Sequence, residues 1–288
     1  MSVNKFIFIL GTSRCGSKFY SQLLNSSKAV SIAPEMIFKH PFKSDLFQLF
    51  RRLKIKNLTA KELVEKILRA NLKSTLNQTI DALDIDALED QLKAKKVMTE
   101  YDLFSAILVS YGKRYNKSIY GAKYPVHPKY IFQLDSLIQG EKKFLFLTRD
   151  PRDIYLSDYL LKKKGINNNT STFPVRGILM KPAVLLYSIR EWKNSLKYYE
   201  RFIKTSRRNR IMLIKYEDLV KNRDDVVNKI KLFTSIHDFN LEKVKVVDSS
   251  FNGFIELYKW KKKLNILERL IFYFLASRTL KKYNYKLF

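Results

Sequence analysis

The chain opens on an apolar run, KFIFIL at 5–10, followed by GTSRCG at 11–16 and KFYSQLLN at 18–25. A short continuous apolar run that meets a glycine-flanked turn and then a helix-like segment predicts a buried strand, a tight turn and a helix. After VSIAPE (30–35) comes a long stretch, about 42 to 116, with apolar residues at helical spacing: Leu63, Ile67 and Ala70, then Leu72 and Leu76. It is expected to be a helical insertion of several segments. Strand character returns in SIYGAK (118–123), KKFLFLT (142–148) and RIMLIKY (210–216), each followed by a helix-like segment. Strands alternating with helices predict an α/β fold, with a central parallel sheet covered by helices on both faces. GINNNTSTFP (165–174) is too polar to bury much and is expected to be a loop of lid-like length. Past Asp218 a helix is expected to about Ile236, then a polar segment around DSSFNG (248–253) and a basic tail at 259–283. With no internal repeat and no clear linker, 1–288 reads as a single domain carrying its insertion at about 42–116.

The 288 residues, 46% of them apolar, suffice for a sizeable core, so the chain is globular rather than disordered. Its formal net charge of +28 implies attraction to phosphates, sulfates, acidic glycans, nucleic acids or anionic membranes without choosing among them. Cys15 is the only cysteine, which excludes an intramolecular disulfide and fits a reducing compartment. The apolar run at 6–10 is too short for a membrane span or a signal-peptide core. A cytoplasmic protein without a cleaved export signal is therefore expected.

Two segments carry chemistry. In GTSRCGSKFY (11–20), a turn between a buried strand and a helix exposes backbone N–H groups at the positive end of the helix dipole, which suits a phosphate or sulfate. An ordinary strand-to-helix turn has the same form. It is not a Walker A loop, because Ser17 and Lys18 follow Gly16 where that loop has Lys and then Ser or Thr. In FLFLTRDPRDIYLSDYL (144–160), Arg149 ends a strand and Ser157 stands eight residues later, two turns into the next helix. Guanidinium and hydroxyl can then converge on a second phosphate. Helix capping accounts for Asp150, Pro151 and Asp153 but leaves Arg149 and Ser157 unexplained.

Together these residues resemble the 3′-phosphoadenosine 5′-phosphosulfate (PAPS)-dependent sulfotransferases, in motif style the bacterial, tyrosylprotein and glycan members. Arg14, Cys15, Gly16, Ser17 and Lys18 look like the family's 5′-phosphosulfate loop, and Arg149 to Asp153 with Ser157 look like its 3′-phosphate motif. LIKYEDLV (213–220) is similar to a Tyr-Glu-Asp-Leu segment that ends a later strand. The resemblance implies a three-layer fold like that of the P-loop kinases, PAPS as sulfuryl donor, adenosine 3′,5′-bisphosphate as product, and no metal. Cys15 departs from the usual Ser, and Lys18 from a second hydroxyl residue. The family's basic C-terminal 3′-phosphate segment has no clear match, although Lys259 and Lys261 lie in the corresponding region, 249–263.

Sulfuryl transfer, like phosphoryl transfer, relies on positioning and electrostatics. The resemblance makes Arg14 the cation beside the sulfuryl group. It gives Gly16, Ser17, Lys18 and Phe19 as backbone donors to the 5′-phosphosulfate, with the Ser17 hydroxyl added. Arg149 and Ser157 read the 3′-phosphate. Lys123 is a second cation near the leaving oxygen, or else a solvent-facing Lys closing a strand. Tyr216 is either an adenine contact or a core residue. Glu35, after VSIA, has a spacing similar to the catalytic Glu of tyrosylprotein and glycan sulfotransferases and is taken as the general base. Its rival is His127 in GAKYPVHP (121–128), which trails Lys123 by four residues where cytosolic members have two. His40 and His237 have no partner that suggests catalysis, and no Cys/His cluster suggests a metal. Trp192, Tyr198, Tyr199 and Phe202 fall at helical spacing and read as packing.

Two other functions fit parts of the pattern: a P-loop kinase-like nucleotide phosphotransferase, and a non-catalytic protein that binds acidic polymers or nucleic acid. The acceptor is expected to bear a hydroxyl group, and the basic charge leans toward an acidic glycan or a lipid-linked saccharide. The tail at 259–283, with Lys261, Lys262, Lys263, Arg269, Lys281 and Lys282 beside Leu264, Leu267, Leu270 and Phe274, reads as one amphipathic helix suited to an anionic membrane surface.

Overall fold

Alternate residues of a strand face opposite sides of a sheet, so a run apolar at every position calls for cover on both faces. The computed structural model describes residues 4–34, 58–70, 79, 81–93, 99–123, 128–163, 179–244 and 256–287. In it the first run divides as that argument requires. Phe6, Phe8 and Leu10 join Phe144 and Phe146 in one core, while Ile7 and Ile9 join Leu145 and Leu147 in another.

The strands are β1 (Lys5–Gly11), β2 (Val30–Ala33), β3 (Ile119–Lys123), β4 (Glu141–Thr148) and β5 (Ile211–Lys215). Among the described residues they form one sheet in the order β2-β3-β1-β4-β5, with every pairing parallel. In chain order the helices are α1 (Ser17–Asn25), α2 (Ala60–Ala70), α3 (Ile85–Lys93), α4 (Glu100–Arg114), α5 (Ile131–Leu137), α6 (Pro151–Lys163), α7 (Met180–Ile203), α8 (Tyr216–Lys221), α9 (Arg223–Thr234), α10 (Trp260–Lys263) and α11 (Ile266–Lys282). Residues of α4, α6, α7 and α11 fill the first core, and residues of α1, α8 and α9 the second. The α/β class with helices on both faces is thus as the sequence predicts. Within the predicted insertion, the described residues include α2, α3 and α4.

Three boundaries differ from the sequence pattern. β5 stops at Lys215, so Tyr216 opens α8 rather than closing a strand. The helix expected past Asp218 breaks at Asn222, whose side chain accepts from the Asp225 N–H at 3.2 Å and starts α9. The basic tail is two helices, because Asn265 caps α11 in a reciprocal capping box with Glu268. Across that break Leu264 turns into the core, while Leu267 and Phe274 stay exposed; α11 buries Glu268, Phe272, Ala276 and Leu280 instead. The segments 165–174 and 248–253 lie outside the described residues.

The chain leaves β1 for β2 on the far side of β3, returns to β3, and then crosses to β4 on the other side of β1. The carboxyl end of β1 is therefore where strand order reverses, the place at which open parallel sheets form ligand crevices.

Candidate active site

The turn after β1 is tightly folded. Gly11 has φ 135°, and a Cβ there would lie 2.0 Å from the Leu147 carbonyl oxygen. Gly16 has φ 82°, and its Cβ would lie 2.7 Å from the Tyr216 ring. Arg14 adopts φ 64° with a full side chain, an uncommon backbone state for a non-glycine residue. Cys15 is 1% exposed and its Sγ donates to the Thr12 carbonyl at 2.5 Å. Burial pushes the thiol up to about 12, against the opposing pull of its own backbone, of Arg149 and Lys123, and of a hydrogen bond with the Thr12 side chain. Its side chain is thus a neutral core group, turned inward from the turn. Ser17 and Lys18 open α1, where N–H groups lack intrahelical acceptors. The Phe19 N–H already donates to the Gly16 carbonyl at 3.0 Å.

β4 runs beside this turn, with Gly11 opposite Leu147, so Arg149 emerges at the same sheet edge. Its guanidinium is 3% exposed, lies 4.2 Å from the Tyr216 ring centroid, and donates from Nη1 to the Arg14 carbonyl at 3.3 Å. Arg14 Nε in turn donates to Ser157 Oγ at 3.0 Å. The two motifs read separately in the sequence are joined. Lys123, half-buried, ends β3 opposite Ile9 and is near enough for its charge to act on Cys15. Glu35 and His127 lie outside the described residues. Ala33, the last residue of β2, pairs with Ala122, so the chain carries Pro34 toward this same edge.

The remainder of the RDPRD segment ties down the far end of the chain. Asp150 accepts the Arg152 backbone N–H at 3.0 Å and takes the Arg152 guanidinium at 2.9 and 2.7 Å. That guanidinium also reaches the carbonyls of Lys286 and, at 2.8 Å, Leu287, and it lies 3.5 Å from the Trp260 ring centroid. Asp153 accepts the N–H groups of Tyr258 and Trp260, both at 3.0 Å. Lys259, between those two amides, is 3% exposed. Glu217 accepts the Asp150 N–H at 2.8 Å and the Tyr285 hydroxyl at 3.3 Å. Burial raises Asp153 to about 6 and Glu217 to about 7, although amide hydrogen bonds and Arg149 pull both down. The sequence has no clear match to a C-terminal basic segment, although Lys259 and Lys261 lie in the corresponding region. The one available signal was Asp153, a carboxylate in a helical first turn that caps another segment.

The sequence matches the model of the sulfotransferase family over residues 7–239. The chain belongs to that family. A comparison with curated protein sequences finds no match. Among solved structures, the sulfotransferase domain of the Synechococcus PCC 7002 olefin synthase is similar with a TM-score of 0.54 and 16% identity, over 99% of this chain and 96% of that one. A Mycobacterium avium sulfotransferase gives 0.53 and 14%, over 99% and 78%. A mouse sulfotransferase complexed with PAP gives 0.50 and 12%, over 96% and 85%. At such identities the likeness is one of fold, and it agrees with the P-loop-like architecture expected from the motifs.

Beside the loop this sulfotransferase has a cavity of about 170 Å³, walled by Thr12, Ser13 and Lys129, by Asp158 of α6, and by one face of α7 that includes Tyr187 and Glu191. α7 packs as read: Trp192 and Phe202 are buried, and Trp192 Nε1 donates to Thr148 Oγ1 at 3.1 Å. The same helix also brings Tyr198 to the cavity wall, a second role that its aromatic spacing did not reveal.

Proposed function

We propose that this sulfotransferase takes its sulfuryl group from PAPS and delivers it to an acceptor hydroxyl by in-line displacement. The observation that carries the reading is the Arg14–Ser157 hydrogen bond at 3.0 Å, with buried Arg149 donating to the Arg14 carbonyl, at the strand-order reversal. A donor with anionic groups at its two ends suits such a site. Cys15, Gly16, Ser17, Lys18 and Phe19 form the loop for the 5′ end, while Arg149 and Ser157 serve the 3′-phosphate. Lys259, clamped between two amides held by Asp153, supplies the C-terminal cation that the motifs lacked. Tyr216 supports Arg149 from beneath.

Bound PAPS supplies an activated S–O bond. In the transfer the acceptor oxygen forms a new bond to sulfur as the bond to the bridging oxygen breaks, and the acceptor proton passes to a base. We assign that base to Glu35, with His127 as the alternative. Arg14 balances charge on the sulfuryl oxygens, and Lys123 balances charge on the leaving oxygen.

No helix among the described residues is long and apolar enough to cross a membrane. The outer face of α11 nevertheless leaves Ile266, Leu267 and Phe274 exposed, with Lys261, Lys262, Lys263, Lys281 and Lys282 at its ends. Apolar residues between cations fit the surface of an anionic bilayer, and we propose peripheral contact there. Salt-sensitive flotation with anionic vesicles tests it, and absence of flotation removes it.

Calorimetry with adenosine 3′,5′-bisphosphate and AMP, together with ³⁵S transfer from labelled PAPS into fractionated extracts, tests the main reading. Equal affinity for the two nucleotides, or no label transferred to any fraction, overturns it.

A further inference from the structure

The β4–β5 ladder ends where Thr148 pairs with Lys215, because β5 gives way to α8 at Tyr216. The two strand ends nevertheless stay in step for two further residues. Arg149 lies 4.2 Å from the Tyr216 ring centroid, and the Asp150 N–H donates to Glu217 Oε1 at 2.8 Å. With α8 turning away from the sheet, the Glu217 carboxylate takes the place of the strand carbonyl that such a buried amide would otherwise need.

The other groups of Asp150 bond within their own segment. Its carbonyl accepts the N–H groups of Asp153 and Ile154, both at 3.0 Å, and its carboxylate accepts from Arg152. The amide is the group that reaches another element. Arg149 and Asp150 are the two residues between β4 and α6, so the bond to Glu217 fixes the backbone from which the Arg149 side chain departs.

Glu217 is itself held from a third direction. Its Oε2 accepts the Tyr285 hydroxyl at 3.3 Å, and Tyr285 is buried against Trp192, with ring centroids 6.1 Å apart. The residues flanking Tyr285 are pinned as well. Lys215 Nζ donates to the Tyr283 carbonyl at 2.5 Å, and Arg152 donates to the carbonyls of Lys286 and, at 2.8 Å, Leu287. Segment 283–287 is thus fastened to β5, α6 and α8, directly behind Arg149.

We propose that Glu217, held by Tyr285, is a positioning residue for Arg149 and thereby sets the preference for a 3′-phosphate. The inference rests on the function proposed above, in which Arg149 reads that phosphate. A guanidinium whose backbone can shift loses the alignment that a charged hydrogen bond to phosphate requires, and neither Glu217 nor Tyr285 need touch the nucleotide for this to happen.

Isothermal titration of the full chain with adenosine 3′,5′-bisphosphate and with AMP reads the effect. Glu217→Leu removes the acceptor and should weaken the bisphosphate roughly 3- to 10-fold, part of what a charged hydrogen bond carries, while AMP changes by less than about twofold. Glu217→Gln keeps an oxygen for the Asp150 amide and should retain near-normal bisphosphate affinity. Tyr285→Phe keeps the ring and loses the hydroxyl. It should weaken the bisphosphate and not AMP, and should add nothing in the Glu217→Leu background. Because it preserves the packing, Tyr285→Phe carries the test if Glu217→Leu fails to fold. Equal loss for both nucleotides, a Glu217→Gln protein that loses bisphosphate affinity, or a Tyr285→Phe protein that keeps it in full overturns the proposal. Failure of the underlying reading shows separately, as equal affinity of the unmodified protein for the two nucleotides.

Discussion

Arg14 and Ser157, 143 residues apart in the chain, are joined by a hydrogen bond from Nε to Oγ at 3.0 Å. The bond couples the turn after β1 to helix α6, and Arg149 completes the triangle by donating to the Arg14 carbonyl. A side chain held in this way loses less freedom when it engages a ligand, so under the proposed function Ser157 would position Arg14 as well as serve the 3′-phosphate.

Arg149→Ala is expected to lower affinity for adenosine 3′,5′-bisphosphate by roughly 10- to 150-fold, the 1.5 to 3 kcal/mol of a charged hydrogen bond. Affinity for AMP should change far less, because AMP lacks the 3′-phosphate. Isothermal titration with both nucleotides measures the difference. A variant that weakens both ligands equally would place Arg149 in fold maintenance instead.

Gly16→Ala tests the turn. The substitution forces a methyl group into a left-handed position and to within 2.7 Å of the Tyr216 ring. Backbone strain alone costs roughly 1 to 3 kcal/mol, and relief by moving Tyr216 would withdraw the ring beneath Arg149. Thermal unfolding should show a lowered Tm, and bisphosphate affinity should fall with it.

Glu217 gives a pH prediction with a definite sign. Burial raises its carboxyl from 4.5 to about 7, so the folded chain holds this proton more tightly than the unfolded chain does. Its contribution to stability is full below about 4.5, declines as pH rises, and is lost above about 7. Glu217→Gln should flatten that decline by up to about 3 kcal/mol across the window. Asp153, raised to about 6, acts in the same direction and should leave a residual slope. Denaturant unfolding of both proteins at pH 5 and pH 7.5 makes the comparison.

How far the sequence reveals this molecule depends on the range of the interactions. β1 and its turn are legible because an apolar run, two glycines and a helix start lie within about 20 consecutive residues, and local chemistry decides them. The second role of Asp153 is not legible, because its partners are backbone amides at 258 and 260, which carry no residue-type signature. The tail at 259–283 misleads a periodicity argument because Asn265 starts a new helix and turns Leu264 inward while Leu267 faces out. The cavity is hidden for a similar reason: Tyr187, Glu191 and Ser195 on α7 look like ordinary helix positions until α6 and the loop are set against them.

Kinetics distinguish Glu35 from His127 as the base. β2 and β3 pair in parallel through Ala33 and Ala122, so both strands end at the sheet edge where Arg14 and Ser157 meet, while Glu35 and His127 lie outside the described residues. A positioned general base contributes about a hundred- to ten-thousandfold in rate. Glu35→Gln should therefore lower kcat at least about a hundredfold. Bisphosphate affinity should be nearly unchanged, because in the proposed mechanism the carboxylate serves the acceptor and not the nucleotide. Arg14→Ala should lose turnover and also some donor affinity, because in the proposed mechanism its charge meets the sulfuryl oxygens in the ground state and more strongly in the transition state. His127→Ala should be mild. A Glu35→Gln enzyme with near-normal kcat, beside a His127→Ala enzyme that is inactive yet folded and still binds the bisphosphate, would move the base from Glu35 to His127.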